Sequence, residues 1–169
     1  DNKKAIATLI KLLKQTKNRK YEYAIVWQNL GLMLAGMGEN KKAIKALENS
    51  LKLNTLPYQQ TLSSLFTVAQ LYFADENFGK AKEKMKLWFS YADKPKGQAY
   101  MLMGMILGQG GEKEKALDYV NIAIDLANDK KKNIQLKETL KQAAKIHLFN
   151  DLKAVKEFEE FFKVSCNSP

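Results

Sequence analysis

The side chains that could do chemistry are few and poorly placed for it. His147 is the sole histidine and Cys166 the sole cysteine, three residues from the end. Catalysis needs a nucleophile, an acid–base group or a metal held in a defined cluster. A single histidine without a second histidine or a partner cysteine reads as a hydrogen-bonded core or linker residue. Glu157, Glu159 and Glu160 alternate with phenylalanines in a helical pattern that turns the carboxylates to water. Gly108, Gly110 and Gly111 form no phosphate cradle, because no strand precedes them and no Gly-Lys-Ser/Thr follows. With one thiol there is no disulfide framework and no zinc cluster. The chain is therefore expected to be non-enzymatic, with no cofactor and no metal.

The bulk chemistry narrows the remaining classes. At 169 residues one domain can bury about 70% of its unfolded surface. No apolar run reaches the ~18 residues that span a bilayer, so no transmembrane segment is expected in this stretch. The net charge of +10 comes from lysine, Arg19 being the only arginine. The lysines are dispersed along the chain, and a nucleic-acid reader would cluster its basic residues and use arginine for bidentate contacts. Nucleic acid is thus a disfavoured partner, and a lysine-driven binder of RNA or acidic surfaces is an alternative function only.

The elements that would position any site come from self-similarity. Ala5, Ala43, Ala81, Ala116 and Ala154 recur at intervals of 38, 38, 35 and 38 residues, each preceded by lysine. Four residues after each stands Leu9, Leu47, Met85, Val120 or Phe158, and eight after each Leu13, Leu51, Phe89, Ile124 or Phe162. These spacings place the side chains on one stripe of an amphipathic helix. An upstream helix precedes three of them, with Trp27, Leu30, Gly31 and Leu34, then Leu65, Val68, Ala69 and Tyr72, then Tyr100, Met103, Gly104 and Leu107 on one face. The small residue at 31, 69 or 104 always lies 12 positions before the alanine, which predicts a fixed hairpin in which two helices approach closely.

The turns fit that prediction. Segments 36–40, 74–77 and 109–112 carry residues that tolerate left-handed backbone or cap the next helix, and Pro57 and Pro95 fall between hairpins. The organisation read from this is a single solenoid over 1–169. It comprises a second helix of a truncated repeat at 1–17 and repeats at 18–57, 58–94 and 95–130. A degenerate repeat at 131–164, whose first helix carries His147, and a tail at 165–169 complete it. A lone second helix at the start lacks its hairpin partner, and solenoid units are stabilised by their neighbours, so a longer protein is expected, with more repeats and any export signal outside this stretch.

Trp27, Leu30, Gly31, Gly38, Ala43, Leu47 and Pro57 resemble the tetratricopeptide repeat, as do Val68, Ala69, Tyr72, Ala81, Met85 and Pro95. The resemblance implies an all-α, right-handed α-solenoid of antiparallel helix hairpins that works as a protein–protein interaction scaffold or adaptor. A narrower likeness lies in Tyr21-Glu22-Tyr23-Ala24, Gln60-Thr61-Leu62, Val68 to Phe73, Trp88-Phe89 and Asp93-Lys94-Pro95. These runs look like the tetratricopeptide proteins that accompany TonB energy-transduction systems of Gram-negative bacteria. That implies a periplasmic setting and TonB-complex components as partners. Met105, Ile106 and 108–111 depart from that pattern, where a more polar helix end is expected. The alternative is a general cytoplasmic scaffold.

In solenoids of this kind the first helices line the concave surface. Their residues outside the packing stripe form the expected groove for a protein or peptide: Ile25, Gln28, Leu32 and Ala35; Ser63, Phe66, Gln70 and Phe73; Gln98, Met101, Met105 and Gly108. The set is apolar and methionine-bearing, with glutamines as amide donors and acceptors. The competing expectation is internal packing or self-association through the same apolar side chains. Family members that clamp a terminal carboxylate use lysine and asparagine in the groove. Gln28, Leu32, Phe66, Gln70, Met101 and Met105 supply no cation to offset the desolvation of such a ligand.

Overall fold

The structure is a computed structural model and describes residues 2–126. Among these every regular element is an α-helix: α1 (Asn2–Thr16), α2 (Lys20–Gly36), α3 (Asn40–Lys52), α4 (Tyr58–Ala74), α5 (Phe78–Tyr91), α6 (Gly97–Gln109) and α7 (Lys113–Leu126). The chain divides into two compact units, Asp1–Asp93 and Lys94–Pro169. In the first, α2 packs on α3 and α4 on α5 as helical hairpins, with α1 against α2 and α3 against α4; in the second, α6 and α7 form a hairpin. The expected repeat at 131–164 and tail, with His147, Cys166 and the three glutamates, lie outside the described residues.

The 12-residue offset becomes close contact. A Cβ added to Gly31 would meet Leu47 Cγ at 2.6 Å and Cδ2 at 2.8 Å. One added to Gly104 would meet Val120 Cγ2 at 2.7 Å and the Ala116 carbonyl at 3.2 Å. The middle hairpin has Ala69 at that place, and Ala69, Ala81 and Met85 are all fully buried. Leu30, Leu34, Ala43, Ile44, Leu47, Val68 and Leu71 form a continuous core, and Ile6, Leu9 and Leu13 of α1 rest on its margin. Complete burial of each leucine or valine contributes about 1.5–3 kcal/mol, so α1 to α4 are bound into one stack.

Each hairpin turn repeats one device. Glu39 N–H donates to the Leu34 carbonyl at 3.0 Å, Asn77 N–H to that of Tyr72 at 2.8 Å, and Glu112 N–H to that of Leu107 at 2.8 Å. This is the six-residue return of a Schellman C-cap, and it requires left-handed backbone at the residue before. That residue is Gly38 (φ 76°), Glu76 (φ 56°) or Gly111 (φ 87°). Glycine meets the requirement twice. The middle turn forces a glutamate into it, and no sequence signal points to Glu76 as the strained position. The following helix is then capped by the Asn77 side chain, which accepts from Lys80 N–H at 3.3 Å. In the other two turns Glu39 and Glu112 pair with Lys42 and Lys115 at 2.9 and 2.8 Å.

Polar bonds tie the helices of the first unit together, both within a hairpin and between successive ones. Ser50 Oγ donates to the Ala24 carbonyl at 2.6 Å from a fully buried position. The Glu48 carboxylate accepts from Tyr72 Oη at 3.2 Å and lies 2.9 Å from Lys84 Nζ, so α3 is linked to both α4 and α5. Burial, reinforced by the Glu48 charge, pushes the Tyr72 phenol up to about 12. Tyr58 Oη donates to the Tyr91 carbonyl at 3.0 Å and accepts from Asp93 N–H at 3.3 Å, pinning the end of α5 to the start of α4.

Candidate functional site

The first-helix layer of the first unit is almost uncharged. Helix α2 carries only Lys20 and Glu22, in its first turn, and α4 carries no ionisable side chain besides Tyr58 and Tyr72. Charged groups would keep such a surface in water; their absence leaves amides, hydroxyls and apolar side chains.

The expected groove residues separate by helical phase. Leu32, Ser63 and Gln70 are exposed and Ile25 is half-buried. Ile25 and Leu32 are seven residues apart on α2, as are Ser63 and Gln70 on α4, so each pair lies on one line along its helix. Asn29, exposed, and Thr67, half-buried, complete the stripes at the fourth position. Neither stands in the expected groove set, although the spacing of four and seven marks them as members of the same face.

Gln28, Ala35, Phe66 and Phe73 lie roughly 40–80° nearer the packing stripe and serve the framework. Gln28 is a correction to the expected open contact, being only 4% exposed. Its Nε2 donates to the Gln60 carbonyl at 3.0 Å and to Ser64 Oγ at 2.9 Å, locking α2 to α4. Phe66 packs on Trp88 and Phe73 on Phe78, each at a ring separation of 5.8 Å. Both phenylalanines keep partial exposure and border the open stripe of α4. Trp88 stands where the neighbouring repeats have Ser50 and Ala123, and its ring meets Phe66 across the hairpin and Phe89 on its own helix.

Next to the Gln28 lock, Gln60 Oε1 is buried with no hydrogen-bond partner among the described residues. A buried acceptor without a donor forfeits about 1–3 kcal/mol.

In the second unit the expectation fails for three residues, Met101, Met105 and Gly108. Met101 and Met105 are 6% and 8% exposed, and Leu102 through Gly108 are all buried. Helix α6 has no charged residue, and a helix apolar all round is buried all round; the two thioethers are packing groups. Gln98 is half-buried. The open face of the candidate site is therefore that of α2 and α4.

No helix among the described residues is long and apolar enough to cross a membrane. No curated protein is similar enough to the chain to count as a match. The family model for the tetratricopeptide repeat matches residues 24–55, which span most of α2 with α3 and the following turn, and residues 97–130, which include α6 and α7. Those segments hold the Gly31–Leu47 and Gly104–Val120 contacts. The chain carries tetratricopeptide repeats, a protein-interaction architecture, with one matched repeat in each compact unit.

Proposed function

We propose that the α2/α4 face is the groove of an adaptor and holds an extended segment of a protein partner. The observation that carries this reading is the pair of open stripes, Ile25-Asn29-Leu32 and Ser63-Thr67-Gln70, on neighbouring helices that the Gln28 lock holds in fixed relation. Leu32 and Ile25 offer apolar surface, and Asn29, Ser63, Thr67 and Gln70 offer groups that can bond the main chain of a ligand. A partner segment low in charge fits best, because nothing on this face compensates a desolvated ion.

The setting we favour is the periplasm, with the partner a component of a TonB-linked outer-membrane transport system. The runs at 60–62, 68–73, 88–89 and 93–95 support that subtype by their likeness to TonB-associated tetratricopeptide proteins. The test is retention of a partner from periplasmic extract by the chain and by Leu32→Glu with Gln70→Glu, two substitutions at exposed positions that leave the core intact. Loss of a specific partner from the variant at unchanged melting temperature supports the groove. Undiminished retention removes it, and a partner unrelated to TonB components removes the subtype.

A further inference from the structure

The dispersal of lysine along the chain conceals a segregation in space. Within the first unit, α1, α3 and α5 hold twelve lysines against Glu48 and Glu83, while α2 and α4 together hold one lysine and one glutamate. The second helices form the layer opposite the candidate groove, and their register stacks the charge. Lys4, Lys42 and Lys80 each immediately precede the hairpin alanine, so one exposed lysine recurs per repeat at the same place, Lys42 being paired at the surface with Glu39. Lys14 and Lys52 form a second such pair. Glu48 is committed to Lys84.

The apolar side chains exposed on the same helices decide what this face meets. Lys80, Lys84, Leu87 and Tyr91 follow one stripe of α5 at steps of four, three and four, with Leu87 43% and Tyr91 46% exposed. On α1, Ile10, 47% exposed, lies on a stripe with Lys3 and Lys14. A phosphate backbone has no use for Leu87 or Ile10, and a nucleic-acid face would draw on more than the single arginine, Arg19. The headgroup region of a bilayer takes all three kinds of group: ammonium on lipid phosphate, tyrosine at the polar level, leucine and isoleucine at the acyl boundary.

We propose that the α1/α3/α5 face of the first unit docks on the surface of an anionic lipid bilayer. It lies on the layer opposite the groove and stands or falls independently of the groove's occupant. Together the two faces describe an adaptor held at a membrane with its partner-binding side turned away from the lipid.

The test is flotation of the whole chain with vesicles of phosphatidylcholine alone and of phosphatidylcholine mixed in equal parts with phosphatidylglycerol. The proposal expects binding to the mixed vesicles only. Affinity should fall about fivefold for each lysine neutralised, the equivalent of about 1 kcal/mol each, so Lys14→Gln, Lys45→Gln and Lys52→Gln together weaken it about a hundredfold. Leu87→Ser should weaken it at unchanged lysine content. Thermal melting of each variant confirms an intact fold. Absence of binding to the mixed vesicles, equal binding to both kinds, or indifference to the lysine substitutions overturns the proposal. So does an unaffected Leu87→Ser variant, which would reduce the face to a general polyanion surface. Tight retention of duplex RNA at physiological salt without vesicle binding would assign the face to nucleic acid instead.

Discussion

Leu47 occupies the space that a side chain on Gly31 would need: a Cβ there would stand 2.6 Å from Leu47 Cγ. Gly31→Ala should therefore destabilise the first unit by up to about 2 kcal/mol, the overpacking penalty of about 1–3 kcal/mol less the roughly 1 kcal/mol by which alanine favours a helix over glycine. Gly79, in α5, has nothing within 4 Å of the same added atom. Gly79→Ala should accordingly stabilise by about 0.5–1 kcal/mol. Urea unfolding of the two variants checks this by sign alone.

The hairpin turns give a second opposed pair. Glu76 and Gly38 hold the same left-handed position in successive turns, at φ 56° and 76°. Glu76→Gly should stabilise and Gly38→Ala destabilise, each by about 1 kcal/mol. If both substitutions lower the melting temperature, Glu76 is held by something other than backbone geometry.

How far the sequence revealed this molecule depends on which physical quantity is asked for. The offset between Gly31 and Ala43, repeated at 69/81 and 104/116, made the hairpins legible because a small residue at an interface is a steric requirement that tolerates few types. The groove was legible only in part. Gln28 and Gln70 look alike as amides, and they differ only by a fraction of a helical turn, which carries Gln28 into the seam against Ser64 and leaves Gln70 in the open. Register places Met101 and Met105 in the groove because it describes one hairpin, whereas burial depends on everything packed around a helix. The lysines were read along the chain, and their gathering on α1, α3 and α5 appears only when the helices are sorted into layers.

The Gln28 lock should be measurable as a coupling. Gln28→Leu leaves the Gln60 carbonyl and Ser64 Oγ without their donor and should cost about 1–3 kcal/mol. Ser64→Ala made in addition should cost less than it does alone, with a coupling of about 0.5–1 kcal/mol in a double-mutant cycle. Strict additivity would mean that the two side chains do not share a bond.

Alkaline pH probes the Glu48–Tyr72 contact. The Tyr72 phenol is raised from 10.0 to about 12, chiefly by burial and next by Glu48. A group whose folded value is raised stabilises fully below its unfolded value and loses that contribution as pH climbs through the folded one. Stability should thus decline between about pH 10 and 12, and Tyr72→Phe should flatten that part of the profile. An identical decline in the phenylalanine variant would place its origin outside Tyr72.

The central claim is that the uncharged α2/α4 face, and not the lysine-bearing layer behind it, meets the partner protein. Site-specific photocrosslinking tests it most directly, with a photoreactive residue at Gln70 on α4 in one variant and at Glu83 on α5 in another, both exposed positions. A partner adduct is expected from position 70 and none from position 83. Equal adducts from both, or an adduct from position 83 alone, would contradict it.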